Sequence, residues 1–305
     1  MKISSRPISG TADKLQILAL SRQFPSDNLR VVDLPYRLSS WALDEPENTR
    51  LWFDAHGRLL AWAVLQTPFW FIDYAFCPEA SFLHPEILDW AGKRASQSLE
   101  TPFGHPCWFV TIFSDQTERM RELESAGFSN QAEVGEDSWS KVFLQRPGNL
   151  PVKEYRIPPG FVVRSLAGKE EIAAYVELHQ TVFESKNMRV EWRQRTLEHP
   201  DYVPNLDVII ASPDGRLGAF CICWLQQVEG QLVGQIEPLG CHPDFRKYAL
   251  GRVALAEGLR RLQTHGAQII HVETDSYRNT AFRLYESMGF SVAKNVFVYR
   301  KDYAE

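Results

Sequence analysis

Apolar and polar positions recur with two periods along the second half of the chain, and each period marks an element. Gly160–Leu166 (GFVVRSL) is a short β-branched run and predicts a strand. Lys169–Glu184 carries Ile172, Tyr175, Val176, Leu178 and Phe183 at helical spacing, and a second helix is expected over Val190–Glu198. Leu206–Ala211 and Leu217–Leu225 flank Pro213-Asp214-Gly215 and read as a hairpin. A strand follows from about Gln231 to Cys241, then a helix over Ala249–His265 and a strand over Gln268–Thr274. Thr280–Met288 reads as a helix ended by Gly289 in a C-cap role, and Val292–Tyr299 as a closing strand. The order β-α-α-β-β-β-α-β-α-β predicts an α/β layered domain on one mixed sheet.

The first half follows roughly the same order. A helix is expected at Ala12–Arg22, a hairpin around Gly57, an aromatic strand through Phe69–Phe76, then a helix and a strand. Two motifs recur between the halves. Gly57-Arg58-Leu59-Leu60-Ala61-Trp62 returns as Gly215-Arg216-Leu217-Gly218-Ala219-Phe220, and Arg121–Phe128 (RELESAGF) as Arg283–Phe290 (RLYESMGF). Their offsets, 158 and 162 residues, are nearly equal, which favours duplicated domains over a short-repeat solenoid. The turn-rich joint is Gln145–Pro151, so the expected division is 1–146, a linker over 147–159, and 160–305. The aromatic stretch Thr67–Phe76 (TPFWFIDYAF) reads either as a packed strand or as a wall against substrate.

Composition excludes several classes. The chain has 305 residues, 44% hydrophobic, 23% charged and 12% aromatic, the profile of a soluble globular protein long enough for two domains. Net charge is −5: residues 1–150 carry 14 Lys+Arg against 19 Asp+Glu, the rest 19 against 19, so no nucleic-acid partner is expected. Five cysteines without a CxxC give neither a disulfide framework nor a metal site. No apolar run is long enough for a membrane span, and MKISSRPISG lacks a signal-peptide core; the expectation is a cytoplasmic protein with no membrane partner.

The informative segment is Ile236–Arg252 (IEPLGCHPDFRKYALGR), where a strand runs into a basic, small-residue turn and then a helix. Unpaired N–H groups and the dipole at such a helix start suit a pyrophosphate, with Arg246, Lys247 and Arg252 adding charge and Gly251 allowing close approach. Pro238 cannot donate to a ladder, so this strand is either bulged and splayed there, freeing amides at Leu239–Cys241, or an edge strand.

These residues carry a resemblance. Arg246-Lys247-Tyr248-Ala249-Leu250-Gly251 resembles the Q/R-x-x-G-x-G/A loop of the GNAT superfamily of acyl-CoA N-acyltransferases, and Asn279-x-Ala281-x-x-Leu284-Tyr285-Glu286-x-x-Gly289-Phe290 resembles its later strand-to-helix motif. The likeness covers Gly160 to about Tyr303, and the tandem layout resembles two-domain acetyltransferases such as mycothiol synthase. It implies an α/β fold of two GNAT-like domains in tandem, each a mixed, mostly antiparallel sheet flanked by helices. It also implies direct transfer of an acetyl group from acetyl-CoA, as co-substrate, to a small-molecule or peptide amine. The pantetheine arm would pair with Leu239, Gly240 and Cys241, the pyrophosphate would meet Arg246, Lys247, Tyr248, Ala249, Leu250, Gly251 and Arg252, and Asn279 would contact the coenzyme. Ala249 stands where the family usually has its first glycine, adding a Cβ that implies weaker coenzyme binding or an altered loop.

Glu237 is the implied general base and Tyr285 the implied acid toward the leaving thiolate, against readings in which each is an ordinary ion-paired or packed residue. His271 and Asp275 are alternative bases; Cys241 could be a nucleophile but lacks a His–Asp relay; Cys221 and Cys223 share one strand face. In the first half the loop fails: Phe76–Pro85 has no phosphate motif, Tyr285 corresponds to Leu123 and Asn279 to Thr117, so that half reads as a degenerate domain without coenzyme. The acceptor wall is expected near Val182–Trp192 and Trp224, with the first half as a further candidate lining. A non-catalytic acyl-CoA sensor or interaction module is the alternative reading.

Overall fold

A computed structural model describes residues 2–133, 140–276 and 280–303. The chain forms two compact units: residues 1–143 with 294–305, and residues 144–293.

In the first unit the elements are β1 (Ser4–Arg6), α1 (Thr11–Gln23), α2 (Leu34–Leu38), β2 (Thr49–Phe53), β3 (Leu59–Gln66), β4 (Phe71–Phe76), α3 (His84–Ser98), β5 (Cys107–Phe113), α4 (Thr117–Ser125) and β6 (Ser129–Asn130). The chain then enters β7 (Ser140–Pro147). β3 (LLAWAVLQ) is buried at every position, because a strand covered on both faces reads as a continuous apolar run rather than an alternation. Its side chains join Ile17, Leu20, Ala75 and Ile87 in one core. The aromatic stretch is mostly packing: Phe71, Ile72 and Phe76 are buried, while Trp70 is exposed and stacks on His105 at 4.3 Å.

The second unit repeats the order: β8 (Val162–Ser165), α5 (Ile172–Phe183), α6 (Val190–Glu198), β9 (Asp207–Ala211), β10 (Leu217–Val228), β11 (Gln231–Cys241), α7 (Leu250–Thr264), β12 (Ile269–Asp275), α8 (Thr280–Ser287) and β13 (Ser291–Asp302). Its strands lie in the order β7-β12-β11-β10-β9-β8. β11 and β12 are parallel; β8 to β11 pair antiparallel. β10 is covered on both faces, by α7 on one and α5 on the other. Cys221 and Cys223 turn toward α7, where a Cβ on Gly258 would stand 2.8 and 2.9 Å from their sulfurs, and Phe220 turns toward Tyr175 of α5 at 5.3 Å.

The closing strand departs from expectation. Val296–Asp302 pairs antiparallel with Cys107–Phe113, so the first unit's sheet runs β1-β2-β3-β4-β5-β13. Residues 294–305 therefore belong with the first unit and 144–159 with the second. The expected linker is not loose at its start. Arg146 is fully buried and donates to the carbonyls of Met288 (2.8 Å), Pro147 (3.0 Å), Leu150 (2.6 Å) and Pro151 (3.1 Å). Among the described residues no helix is long and apolar enough to cross a membrane, and no three His, Cys, Asp or Glu gather as a metal site.

Candidate active site

The site is built on a gap between two parallel strands. β11 and β12 pair as Val233↔Ile269, Gly234↔Ile270 and Gln235↔His271, and among the described residues their ladder ends there. β11 nevertheless runs on to Cys241 and β12 to Asp275. Alternate peptide groups of Ile236–Cys241 turn away from β10 and toward that gap, as strand geometry requires.

Pro238 causes an irregularity of the kind its chemistry demands. β10 pairs Cys221↔Leu239 but Cys223↔Ile236, so β11 carries one extra residue opposite Ile222, a bulge at Glu237–Pro238. β11 lies between β10 and β12, which removes the edge-strand reading. The Trp224 indole N–H donates to the Glu237 carbonyl at 2.8 Å and so fixes the bulged peptide. Along the strand Ile236, Pro238 and Gly240 are buried, while Glu237, Leu239 and Cys241 share the other, partly exposed face. Gly240 is a packing glycine: a Cβ there would meet the Phe220 ring at 2.5 Å and Val182 at 2.7 Å.

The turn after β11 is a short 3-10 helix, Pro243–Tyr248, ending at Ala249 in the left-handed region (φ 55°, ψ 30°). The family glycine at this position thus answers a backbone requirement that alanine meets under strain. The Ala249 N–H donates to Arg246 O at 3.1 Å and its carbonyl accepts from Arg252 N at 3.0 Å. Two of the amides expected to face a pyrophosphate are therefore engaged within the chain. Leu250 and Gly251 open α7, where N–H groups have no intrahelical acceptor, and the Gly251 amide bonds the Cys241 sulfur. Gly251 has ordinary helical φ; a Cβ there would make only an everyday 3.7 Å contact with Cys241. Arg246, Lys247, Tyr248 and Arg252 are exposed around this turn.

Tyr285, on α8, is buried with its ring edge-on to Phe290 at 5.6 Å. Burial, reinforced by Cys221, Glu237 and Cys223 nearby, raises its phenol well above the usual tyrosine range, so it stays protonated. Tyr285 and Glu237 are thus brought within electrostatic reach of each other, and the Tyr175 hydroxyl also feels Glu237. Asn279 lies outside the described residues. His271 stands at the last rung of the β11–β12 ladder, and burial pulls its imidazole down to about 4, which makes it a weak base. Burial pushes the Cys241 thiol up, against a role as nucleophile. Cys221 and Cys223 are buried thiols 3.8 Å apart. Trp192 and Trp224 are each 1% exposed, while Phe183 and Val190 of the same region are exposed. Sequence reasoning missed the Trp224 bond and the Arg146 clamp, which link side chains to distant backbone and leave no local pattern.

The corresponding gap in the first unit, beside Phe71↔Phe109, is filled by its own chain. The Asp27 carbonyl accepts from Gln116 (2.9 Å) and Arg119 (2.7 Å), Asp73 is paired with Arg37 at 2.6 Å, and about 20 Å³ remains. A wider cavity of about 750 Å³ at its mouth carries Asp27, Asp115, Glu118 and Glu122 against Arg119 and Lys294, an unfavourable lining for a pyrophosphate.

Residues 172–290 match the acetyltransferase (GNAT) family. The chain is 27% identical over 152 residues to a mycothiol acetyltransferase of Thermomonospora curvata, covering 48% of this chain and 50% of that one. It is 32% identical over 80 residues to the [ribosomal protein bS18]-alanine N-acetyltransferase of Salmonella typhimurium, covering 26% and 51%. The chain spans about half the length of these curated relatives. Among solved structures, a tandem GNAT protein from the clavulanic acid biosynthesis pathway covers 100% of this chain and 99% of its own, with TM-score 0.66 at 11% identity, a likeness of fold.

Proposed function

We propose, from the match of residues 172–290 to the acetyltransferase (GNAT) family, that the chain is an N-acetyltransferase acting on a primary amine by direct transfer from acetyl-CoA. The observation that carries this reading is the β11–β12 gap, with the bulged Glu237–Pro238 segment of β11 beside it. The residues fit the coenzyme: peptide groups of Leu239–Cys241 offer an edge for pantetheine amides, and Leu250 presents its amide at the positive end of the α7 dipole. Arg246, Lys247 and Arg252 supply charge around the same turn.

Bound acetyl-CoA supplies an activated thioester acyl group. Glu237 accepts the proton that the attacking amine must lose, directly or through a water. A β11 N–H directed into the gap polarises the acyl carbonyl, in the manner of an oxyanion hole. Tyr285 donates its proton to the departing thiolate. The filled gap and acidic mouth of the first unit support assigning coenzyme and chemistry to the second. Small-molecule and peptide amines are the acceptor classes, and the cytoplasm, where acetyl-CoA is made and used, is the compartment we assign.

The test is release of free thiol from acetyl-CoA across a panel of amines, with coenzyme affinity read by calorimetry. Tyr285→Phe should lower turnover about 10²-fold while sparing coenzyme affinity, the usual size of acid catalysis. Unchanged turnover removes Tyr285 from the mechanism. Coenzyme binding without thiol release from any amine favours a non-catalytic sensor instead.

A further inference from the structure

The segment after β7 is seated on the second unit at fixed points. Beyond the Arg146 clamp, Gln263 Nε2 donates to the carbonyls of Gly148 and Leu150, each at 2.6 Å, and the Gly148 N–H donates to Gln268 O at 2.7 Å. That anchoring determines where Tyr155 falls. Its half-buried ring lies beside the first turn of α7, with the Arg252 guanidinium 5.7 Å and the Lys153 ammonium 5.8 Å from the ring centroid. Tyr248 presents a second ring, 40% exposed, with Lys247 Nζ at 5.2 Å and Phe161 against it at 5.2 Å.

Three cations, Lys153, Lys247 and Arg252, lie against these rings and Arg246 is exposed in the same turn as Tyr248; among the described residues none of the four forms a carboxylate ion pair. The acids nearest in sequence are Glu154, an exposed side chain between Lys153 and Tyr155, and Asp244, which is taken by Arg216 at 3.1 Å. Folding alone gives no reason to gather unneutralised cations over exposed rings, since like charges repel and exposed cation–π contacts return little. A ligand that is both flat and anionic satisfies the rings and the charges together.

We propose that Tyr155, flanked by Lys153 and Arg252 and facing the same turn as Tyr248, seats the adenosine 3′-phosphate end of the acyl donor. The connecting segment is then part of the donor site. The inference rests on the reading of the second unit as the coenzyme-binding one. A free nucleoside phosphate shares this chemistry, so the experiment separates the two sources.

Full-length protein is titrated calorimetrically with adenosine 3′,5′-bisphosphate, adenosine 5′-monophosphate and coenzyme A, using wild type, Tyr155→Leu and Tyr155→Phe, with circular dichroism to verify folding. Wild type should bind the bisphosphate and coenzyme A, and the monophosphate more weakly. Tyr155→Leu should lose about tenfold in affinity for both, the loss of one stacked base, while Tyr155→Phe stays within about twofold. Equal affinities of wild type and Tyr155→Leu, or no bisphosphate binding by wild type at millimolar concentration, overturn the proposal. If the bisphosphate binds through Tyr155 and coenzyme A does not bind, the nucleotide seat stands and the acetyl-CoA reading falls.

Discussion

Ala249→Gly isolates the cost of the one departure from the phosphate-loop motif. Ala249 holds φ 55° and ψ 30°, fixed by the bond from its N–H to Arg246 O and those from Arg252 and Val253 N–H to its carbonyl, at 3.1, 3.0 and 3.3 Å. An L residue held left-handed is strained by roughly 1–2 kcal/mol. Glycine removes that strain, but its freer unfolded chain gives back roughly 0.4–1 kcal/mol. The net expectation is stabilisation by about 0.5–1 kcal/mol, or about 1–3 °C in midpoint for a unit of this size. Strain present with and without ligand cancels from a binding constant, so coenzyme affinity should move by less than about threefold. Urea and thermal unfolding measure the first quantity and calorimetry with coenzyme A the second. Destabilisation by about 1 kcal/mol or more would refute the left-handed assignment. A tenfold gain in affinity without a stability change would show that the Cβ obstructs the ligand and strain is irrelevant.

Two further predictions follow from buried polar groups. Arg146→Met, which leaves the carbonyls of Met288 and Pro151 without their donor and that of Leu150 with Gln263 alone, should cost about 2–3 kcal/mol in urea unfolding and expose residues 147–153 to limited proteolysis; an unchanged midpoint and cleavage pattern would dismiss the clamp. Burial pulls the His179 and His271 imidazoles down to about 3 and about 4, whereas unfolded histidine takes its proton near about 6.5. The unfolded chain therefore binds more protons below that value: stability should be full above about pH 7 and fall as pH drops from about 6.5 toward 4. His271→Gln should flatten this slope in urea midpoints measured between pH 4 and 7, and an unaltered slope would mean that the ring is not held uncharged.

Much of the fold was legible because it is local. Helix α6 and strand β11 fall on the residues their periodicity marks, and the recurrence of motifs between the halves matches the repeated element order. Pro238 announced the bulge because a missing N–H is a property of one residue. What the sequence hid is nonlocal. An apolar run such as Val296–Val298 identifies a strand but carries no mark of its partner, so its pairing with Thr111–Phe113 could not be read. Arg146 stood in a stretch read as a joint, and only tertiary packing turns it into a clamp. In the sequence Ala249 shows only a surplus Cβ, while the requirement at this position is a backbone angle that no residue letter displays.

The pairing of Val296–Asp302 with Cys107–Phe113 also sets an order of assembly during synthesis. A ribosome that has finished residues 1–146 has made β5 but is still some 150 residues short of the strand that covers it. Until then the apolar edge CWFVTIF offers unsatisfied peptide groups to any strand nearby. Nascent chains paused within the second unit should therefore be aggregation-prone and retained by holding chaperones, and a fragment cut near residue 146 should be less soluble than the whole. The first unit cannot mature before the second has been translated.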